Sequence, residues 1–182
     1  VPEGGLMAET RSYSENAAHT VLLAVDTPSV AGRSFNVGDE EALTTSQRIK
    51  LVCAALGHEM EIVGMPSHLA LPARPFMMQE EPGHRVLDLS ATRDLLGYRD
   101  LVPARTAVGI AARWLAENPL EPESRDEAVL EDPFDYDRED RLLDWWHAAT
   151  CDPPDLHYPV DPGYGSYFSG PGTSRRRSEE RI

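Results

Sequence analysis

Lysine is almost absent from this sequence. Among the 182 residues there is a single one, Lys50, beside 16 arginines. A Walker A loop needs a lysine directly after a glycine, because the loop backbone and that lysine hold the nucleotide phosphates together. Lys50 follows Ile49, so the sequence excludes a phosphate-binding loop of this type.

Basic charge, long apolar runs and cysteine are also scarce. The 17 basic residues stand against 31 acidic ones, which gives a net charge of -14 at pH 7 and argues against binding to nucleic acid. No apolar run approaches the ~20 residues of a membrane span, and no signal-peptide pattern is visible. We therefore expect no nucleic-acid or membrane partner and a cytoplasmic location. The two cysteines, Cys53 and Cys151, fit a reducing compartment.

Apolar residues at helical spacing predict four helices in the first two thirds of the chain. In the second helix, Ile49, Val52 and Leu56 fall on one face. The predicted helices cover 14–25, about 45–56, 90–96 and 103–117, with Ser14 and Ser90 as caps of the first and third. Short runs of β-forming residues predict strands at 33–38, 60–64 and 84–89. The pattern is that of a mixed α/β fold.

The composition changes after residue 118. Between Glu117 and Asp144 there are 12 acidic residues and three arginines. We expect a domain at 1–118, an acidic linker at 119–136, an amphipathic helix at 137–150 and a disordered tail at 151–182. The linker and helix together form an acidic appendage.

Few chemical motifs are present. The 13 glycines form no Gly-x-Gly-x-x-Gly fingerprint, and there is no Gly-x-Ser-x-Gly nucleophile turn. His147, Cys151 and His157 could be read as metal ligands, but part of that spacing falls in the expected tail, so we predict no metal site. Cys53 lies on the apolar face of a predicted helix and is interpreted as a small buried hydrophobe.

Four motifs in the same order give the chain a family resemblance. Over 11–118 it resembles the C-terminal part of the extended short-chain dehydrogenase/reductases, the NAD-dependent epimerases and dehydratases. The motifs are Arg-Ser-Tyr-Ser-Glu-Asn-Ala-Ala from Arg11, Gly-Arg-Ser-Phe-Asn-Val-Gly from Gly32, Asp-Leu-Ser-Ala-Thr-Arg from Asp88 followed by Leu-Leu-Gly-Tyr-Arg from Leu95, and a last helix from Pro103 that contains Trp114 and Leu115.

This resemblance implies the substrate-binding half of such an enzyme, lacking most of the Rossmann domain. The family fixes NAD(P) on a glycine-rich turn and uses a Tyr-x-x-x-Lys pair as its base. Four residues before Lys50 stands Ser46, so that pair is absent here. We therefore predict no catalytic and no cofactor-binding residue in this chain, and NAD(P) only for an intact family member.

Matching positions suggest four substrate-binding residues. Tyr13 stands at or near a family histidine that faces the substrate. Arg11 and Arg85 are cations that could meet a diphosphate, for which an arginine fork is suited. Asn36 lies on the predicted strand beside the cleft. Three of them have a structural alternative: a packed ring for Tyr13, a turn cap for Asn36 and an ion pair with one of the many acids for Arg11. For Arg85, the spacing to Asp88 is shorter than the family pattern predicts.

Two hypotheses remain open at this point. The chain is either the C-terminal, substrate-binding portion of an NAD-dependent epimerase/dehydratase-like protein that acts on a nucleotide-activated sugar, or a stand-alone, non-catalytic binding or interaction module. The expected partner of the first is a small molecule, with a homodimer left open for the intact form. The resemblance selects neither a substrate nor a reaction.

Overall fold

The computed structural model describes residues 1–77, 83–121, 124, 126, 134–155 and 157. The chain divides into two compact units, Val1–Leu143 and Asp144–Ile182. In the second unit, the described residues comprise the end of one helix and a short extension. None of the helices in the described part is long and apolar enough to cross a membrane.

The domain division expected from the sequence stays a prediction. The first compact unit continues past residue 118, to Leu143. The acidic linker and the tail lie largely outside the described residues.

The described residues form five α-helices and one small sheet, a mixed α/β fold as predicted. Three 3₁₀ turns lie at Glu3–Gly5, Pro28–Val30 and Leu71–Phe76. The helices are α1 Ser14–Val25, α2 Thr45–Leu56, α3 Ser90–Leu96, α4 Ala104–Glu117 and α5 Tyr136–Thr150, and the strands are β1 Ala8–Glu9 and β2 Leu43–Thr44.

Local signals in the sequence explain where the helices begin and end. At the start of α2, the Thr44 hydroxyl accepts from the Gln47 amide at 3.2 Å, and the Gln47 side chain accepts from the Thr44 amide at 2.8 Å. This capping box satisfies two amides that the helix itself cannot bond. Gly57, with φ of 69°, closes α2 in the left-handed conformation. The four predicted helices are thus confirmed.

The predicted helix caps at Ser14 and Ser90 are wrong. Ser14 and Ser90 are the first helical residues of α1 and α3, and neither helix has a side-chain cap. At α3, the Ser90 amide instead donates to the carboxylate of Asp88 at 2.8 Å.

The three predicted strands are not formed, and the sheet uses other residues. β1 pairs antiparallel with β2, with Ala8 opposite Thr44 and Glu9 opposite Leu43. On the other side of β1, the predicted strand at 84–89 is reduced to one bridge between Glu9 and Arg85. The reason is that side chains replace backbone partners there: the Ala8 amide donates to the His84 ring at 3.0 Å, and the Leu87 amide donates to the Thr10 hydroxyl at 3.0 Å.

The segments at 33–38 and 60–64 also lack a strand partner. The carbonyl of Asn36 accepts from the Thr92 hydroxyl at 2.6 Å rather than from a neighbouring strand. The 60–64 segment stays irregular, and a bridge forms only at Met65, opposite Pro2. A strand depends on a partner that the local sequence does not specify, which explains the wrong predictions.

The core combines small apolar side chains with buried polar ones. α2 packs against α4. On α4 the buried side chains are those of Ala104, Ala107 and Ala112, whose small size allows close packing. The fully buried side chains with the largest volumes are Tyr98, Leu43, Asn16, Thr20 and Thr92. Because several of these are polar, the core needs satisfied hydrogen bonds as well as apolar contact.

The Asn16 side chain is the centre of this polar core. Its amide nitrogen donates to the Asp39 carboxylate and to the Val102 carbonyl, both at 2.9 Å. Its amide oxygen accepts from the backbone amides of Leu101 at 3.0 Å and Val102 at 3.1 Å. The carboxamide is fully buried and uses both of its donors and both acceptor positions. It joins α1 to the turn at residue 39 and to the segment before α4.

A second polar cluster surrounds Tyr98. The Tyr98 hydroxyl donates to the Asp100 carboxylate at 2.8 Å, and its ring lies 6.0 Å from that of His19. The Asp100 carboxylate also accepts from the Glu40 amide at 3.1 Å. Burial raises the pKa of Asp100, the hydrogen bond from Tyr98 opposes that rise, and the charges of Asp39 and Glu40 add to it.

Removal of the Asn16 amide should destabilise the first unit strongly. Asn16→Ala leaves two backbone amides and one carbonyl without partners, which we expect to cost about 3 kcal/mol of the free energy of unfolding. Urea denaturation measures this cost. The matched control is Asn36→Ala, because Asn36 is exposed and its side chain makes one hydrogen bond, to the Asp88 carbonyl. An equal loss in both variants would show that Asn16 is not the organising residue.

The raised pKa of Asp100 predicts the sign of a pH effect on stability. A carboxyl whose pKa is raised in the folded state contributes its full share to the stability of the fold at pH values below the pKa that it has in the unfolded state, about 3.9. This contribution is lost as the pH rises through the pKa of the folded state. The wild type should therefore lose stability relative to Asp100→Asn as the pH is raised from about 4 to 7.

Asp88 provides an opposite-signed control for the same measurement. Hydrogen bonds from Ser90 lower the pKa of Asp88 in the folded state. Its contribution to stability is therefore present above the pKa of the unfolded state, about 3.9, and is lost as the pH falls through the pKa of the folded state. The stability of the wild type relative to Asp88→Asn should rise with pH in urea titrations at several pH values. If the stability of the wild type relative to each of the two variants changed with pH in the same direction, both pKa assignments would be contradicted.

Candidate functional site

Two of the predicted site residues, Arg11 and Tyr13, lie together where the chain passes from β1 to α1. Both line a small cavity of about 170 Å³. Asp39 and Arg48 contribute to the same cavity, and its apolar wall is supplied by α4. We call this cavity the smaller cleft.

Asp39 fixes the backbone at this point. Its carboxylate accepts from the Tyr13 amide at 2.9 Å as well as from Asn16, and its own amide donates to the Arg11 carbonyl at 2.7 Å. Asp39 is buried. Its neighbour Gly38 allows the close approach, since a Cβ atom there would overlap the Thr10 side chain. The cleft is thus built on a rigid turn.

Tyr13 is suited to donate a hydrogen bond rather than to act as a base. Its ring is half-buried, and its hydroxyl donates to the Glu15 carboxylate at 3.3 Å. Desolvation first, and then the charge of Glu15, raise the pKa of the Tyr13 phenol. At neutral pH the hydroxyl therefore stays protonated.

A larger cavity of about 430 Å³ is the second part of the site. Arg11 and Arg48 line it as well, and these two arginines therefore border both cavities. Most of its remaining wall is apolar and comes from α2 and from the irregular segment that follows it. We call this cavity the larger cleft. Its apolar wall includes Ile49, Val52, Met60, Ile62, Val63, Met65, Ala70 and Pro72.

The two guanidinium groups have different surroundings. Arg11 pairs with the Glu9 carboxylate at 2.5 Å, and half of its side chain is exposed, 51% against 18% for Glu9. Arg48 reaches from α2 to the sheet, where its Nη2 donates to the Glu9 carbonyl at 2.6 Å and to the Leu43 carbonyl at 3.5 Å. Burial, and secondarily the charge of Arg11, lower the pKa of Arg48. A guanidinium nevertheless stays charged at neutral pH.

The other two predicted residues lie elsewhere. The Asn36 side chain donates to the Asp88 carbonyl and borders neither cleft. Arg85 contributes its backbone to the bridge with β1, where its amide donates to the Ala8 carbonyl at 2.9 Å and its carbonyl accepts from Thr10 at 2.9 Å. Its side chain lines neither cleft. The proximity of Arg11 and Tyr13 is a property of the fold; a substrate role for any of the four residues stays a prediction.

The sequence reasoning missed Arg48, Glu9 and Asp39. A signal for Arg48 existed, because it precedes Val52 by four residues and so belongs at the edge of the apolar face of α2. A cation at such an edge can reach a neighbouring element with its long side chain. Glu9 and Asp39 had no comparable local signal, since their importance depends on contacts distant in sequence.

The described residues do not fit a dinucleotide cofactor. NAD(P) needs a tight glycine turn between a strand and a helix, whose amides hold the pyrophosphate. Among the described residues, the glycines with left-handed φ are Gly4, Gly5, Gly32, Gly57 and Gly97. Gly57 and Gly97 end helices, and Gly4, Gly5 and Gly32 do not lie between a strand and a following α-helix. The residues just before α1 to α4 are Tyr13, Thr44, Leu89 and Pro103. No step of a reaction is therefore assigned to a cofactor here.

Comparison with known proteins gives similarities of structure. No family model and no curated protein matches the chain. A crystal structure of UDP-galactose 4-epimerase is similar with 19% identity and a TM-score of 0.48, over 63% of this chain and 35% of that one. UDP-glucuronic acid 4-epimerase from Bacillus cereus, in complex with NAD, has 14% identity and a TM-score of 0.49, over 64% and 34%.

A third similar structure is UDP-glucose 4-epimerase from Thermotoga maritima with UDP-glucose. It has 17% identity and a TM-score of 0.47, over 64% of this chain and 34% of that one. The chain thus spans about a third of the length of each of these enzymes. All three structures are of UDP-sugar 4-epimerases. With TM-scores below 0.5 and identities below 20%, these similarities carry no argument about fold or activity.

Proposed function

We propose that this chain is the substrate-binding part of an NAD-dependent epimerase/dehydratase-like protein and binds a nucleoside diphosphate sugar at the two clefts. The observation that carries the proposal is the position of Arg11. It is half exposed and borders both cavities, with Tyr13 beside it in the smaller one. An arginine fork pairs well with phosphate oxygens.

The volumes and linings of the two clefts suit a ligand whose two ends differ in size and polarity. The larger cleft, at about 430 Å³, lies in the range usual for small-molecule sites and is mainly apolar. It suits the flat base of the nucleoside, with the phosphates at the arginines. The smaller cleft, at about 170 Å³, is lined by the polar residues Ser12, Tyr13, Asp39 and Glu41, whose side-chain types suit the hydroxyl groups of a sugar. The Glu41 carboxylate also accepts from Arg105 at 2.7 Å.

In this proposal the chain binds and orients the substrate. The four motifs resemble a family in which NAD(P) and a Tyr-x-x-x-Lys pair perform the chemistry, and neither that pair nor a glycine-rich fingerprint occurs in this sequence. The contribution of these residues is therefore recognition.

Neutralising Arg11 should weaken binding of UDP-glucose. Arg11→Gln removes a charge-assisted hydrogen bond to phosphate, for which we expect a loss of affinity on the order of 10-fold in isothermal titration calorimetry. The matched control is Arg33→Gln, since Arg33 is exposed and borders neither cleft. No heat of binding with the wild-type chain, or the same loss in both variants, would count against the proposal.

Removal of the Glu9 charge should have the opposite effect and strengthen the binding of UDP-glucose. Glu9 pairs with Arg11 and so competes with an anionic ligand for the same guanidinium. Glu9→Gln keeps the shape of the side chain and removes the charge. We expect it to strengthen UDP-glucose binding by roughly 3- to 10-fold at low ionic strength, with a smaller gain in high salt. A weaker complex in this variant would show that Arg11 does not meet the phosphates.

A further inference from the structure

The first half of α5 forms part of the lining of the larger cleft. Glu139, Leu142 and Leu143 border this cavity. Their spacing of i, i+3 and i+4 places them on one face of the helix. All three are half-buried, whereas the residues at 137–138 and 140–141 are exposed. One face of α5 therefore covers the cleft, while the rest of this half of the helix meets solvent.

The contact between α5 and the cleft is shallow. All residues of α5 are described, and none of them is buried. By contrast, α4 buries the side chains of Ala104, Ala107 and Ala112. The free energy gained by apolar contact is proportional to the area removed from water, so two half-buried leucines hold a helix only weakly.

The start of α5 is capped by its own segment. The Arg138 amide donates to the Asp135 carboxylate at 3.0 Å, and the Arg138 guanidinium pairs with the same carboxylate at 3.1 Å. The Glu139 amide donates to the Asp135 carbonyl at 3.0 Å. Such a cap satisfies amides that the first turn of a helix leaves unpaired. Because these bonds do not involve the cleft, the release of α5 from it does not require breaking them.

The charge of Glu139 opposes an anion in the cleft while α5 covers it. Arg11 and Arg48 line the same cavity and attract anions. Glu139 adds a carboxylate to this lining, and a like charge beside a partly desolvated anion is unfavourable. An anionic ligand therefore gains if Glu139 moves away, and it gains apolar wall if Leu142 and Leu143 move with it.

We propose that the first half of α5 is an autoinhibitory lid, which covers the larger cleft through Leu142 and Leu143 and repels anions through Glu139, so that an anionic ligand enters by displacing the helix. The inference rests on the proposed function for the identity of that ligand. It gives the acidic appendage a role in the site instead of leaving it as a separate extension.

A fixed wall of the cleft is the competing explanation for the same contacts. If α5 stays in place, the two leucines contact the ligand, and their replacement by polar residues weakens binding. If α5 is a lid, the same replacement raises the fraction of molecules in which the cleft is open. The apparent affinity rises with that fraction. The sign of the change in affinity therefore separates the two explanations.

The first measurement is the calorimetric affinity of the full chain for UDP-glucose. We expect the double variant Leu142→Gln, Leu143→Gln to bind roughly 3- to 10-fold more tightly than the wild type. Glu139→Gln should bind about 3-fold more tightly at low ionic strength, with a smaller gain in high salt. A weaker complex in the double variant would overturn the inference.

Exposed neighbours on α5 supply the matched controls. Arg141→Gln is the control for the leucine substitutions, because Leu, Arg and Gln have nearly equal helix propensities. Asp140→Asn is the control for Glu139→Gln, because it removes a carboxylate from the exposed side of the same turn. We expect both to change the affinity less than about 2-fold. Gains in these controls as large as those in the lid variants would contradict the inference.

Hydrogen exchange of the α5 amides is the second measurement. A detached helix of this length is only marginally stable in water, so its amides exchange once it leaves the cleft. We expect exchange at 140–143 by a local opening that low urea hardly changes, whereas the amides of α2 follow global unfolding. The double leucine variant should speed exchange at 140–143 roughly 3- to 10-fold, and saturating UDP-glucose should also speed it.

The two measurements together distinguish a failure of this inference from a failure of the proposed function. If UDP-glucose does not bind while α5 opens locally and the leucine variant speeds this opening, the lid stands and the nucleotide-sugar proposal is wrong. If UDP-glucose binds and slows exchange at 140–143, the proposed function stands and the lid is wrong. If exchange at 140–143 follows only global unfolding, the lid is overturned whether or not UDP-glucose binds.

Discussion

The four hydrogen bonds of the Asn16 carboxamide are the interaction on which the rest of the structure depends. They connect the first helix to the turn at Asp39 and to the segment at Leu101 and Val102, which are far apart in sequence. Asp39 in turn accepts from the Tyr13 amide and donates to the Arg11 carbonyl. The side chain of one buried residue therefore positions the backbone of both cleft residues that the motifs indicated.

The sheet beside the clefts shows the same dependence on side chains. Two strands of two residues each supply few ladder hydrogen bonds. Arg48 adds bonds from α2 to one carbonyl of each strand, and the side chains of Thr10 and His84 bond the segment on the other side of β1. Arg48 is thus also part of the framework that holds the two strands together.

The helices could be predicted from the sequence because their signals are local. The spacing of apolar residues and glycines such as Gly57 and Gly97 act within a few residues of the element that they define. The strands could not, because the Asn36 carbonyl accepts from the Thr92 hydroxyl instead of from a strand, and a backbone bond to the segment after β1 forms only at Asp39, whose amide donates to the Arg11 carbonyl. Long-range partners of this kind leave no trace in a single local pattern.

The same distinction applies to the candidate site. Arg11 and Tyr13 could be suggested because a motif of consecutive residues contains both. Arg48 required knowledge of which side of α2 faces the sheet, and Glu9 required knowledge of its ion pair with Arg11. Asn16 lies in the first of the four motifs, but the motif indicated no role for it. Its donors to Asp39 and the Val102 carbonyl now provide a physical reason for an amide, since a carboxylate at this position could not donate either bond.

The saturated carboxamide also has a consequence for the dynamics of irregular backbone. Loop amides usually exchange their hydrogens with solvent quickly, because small local openings expose them. The amides of Leu101 and Val102 lie in such a segment, yet both donate to an oxygen at the centre of the core. They can be released only when the segment at Leu101 and Val102 separates from the Asn16 side chain on α1. We therefore expect these two loop amides to exchange more slowly than loop amides that face solvent.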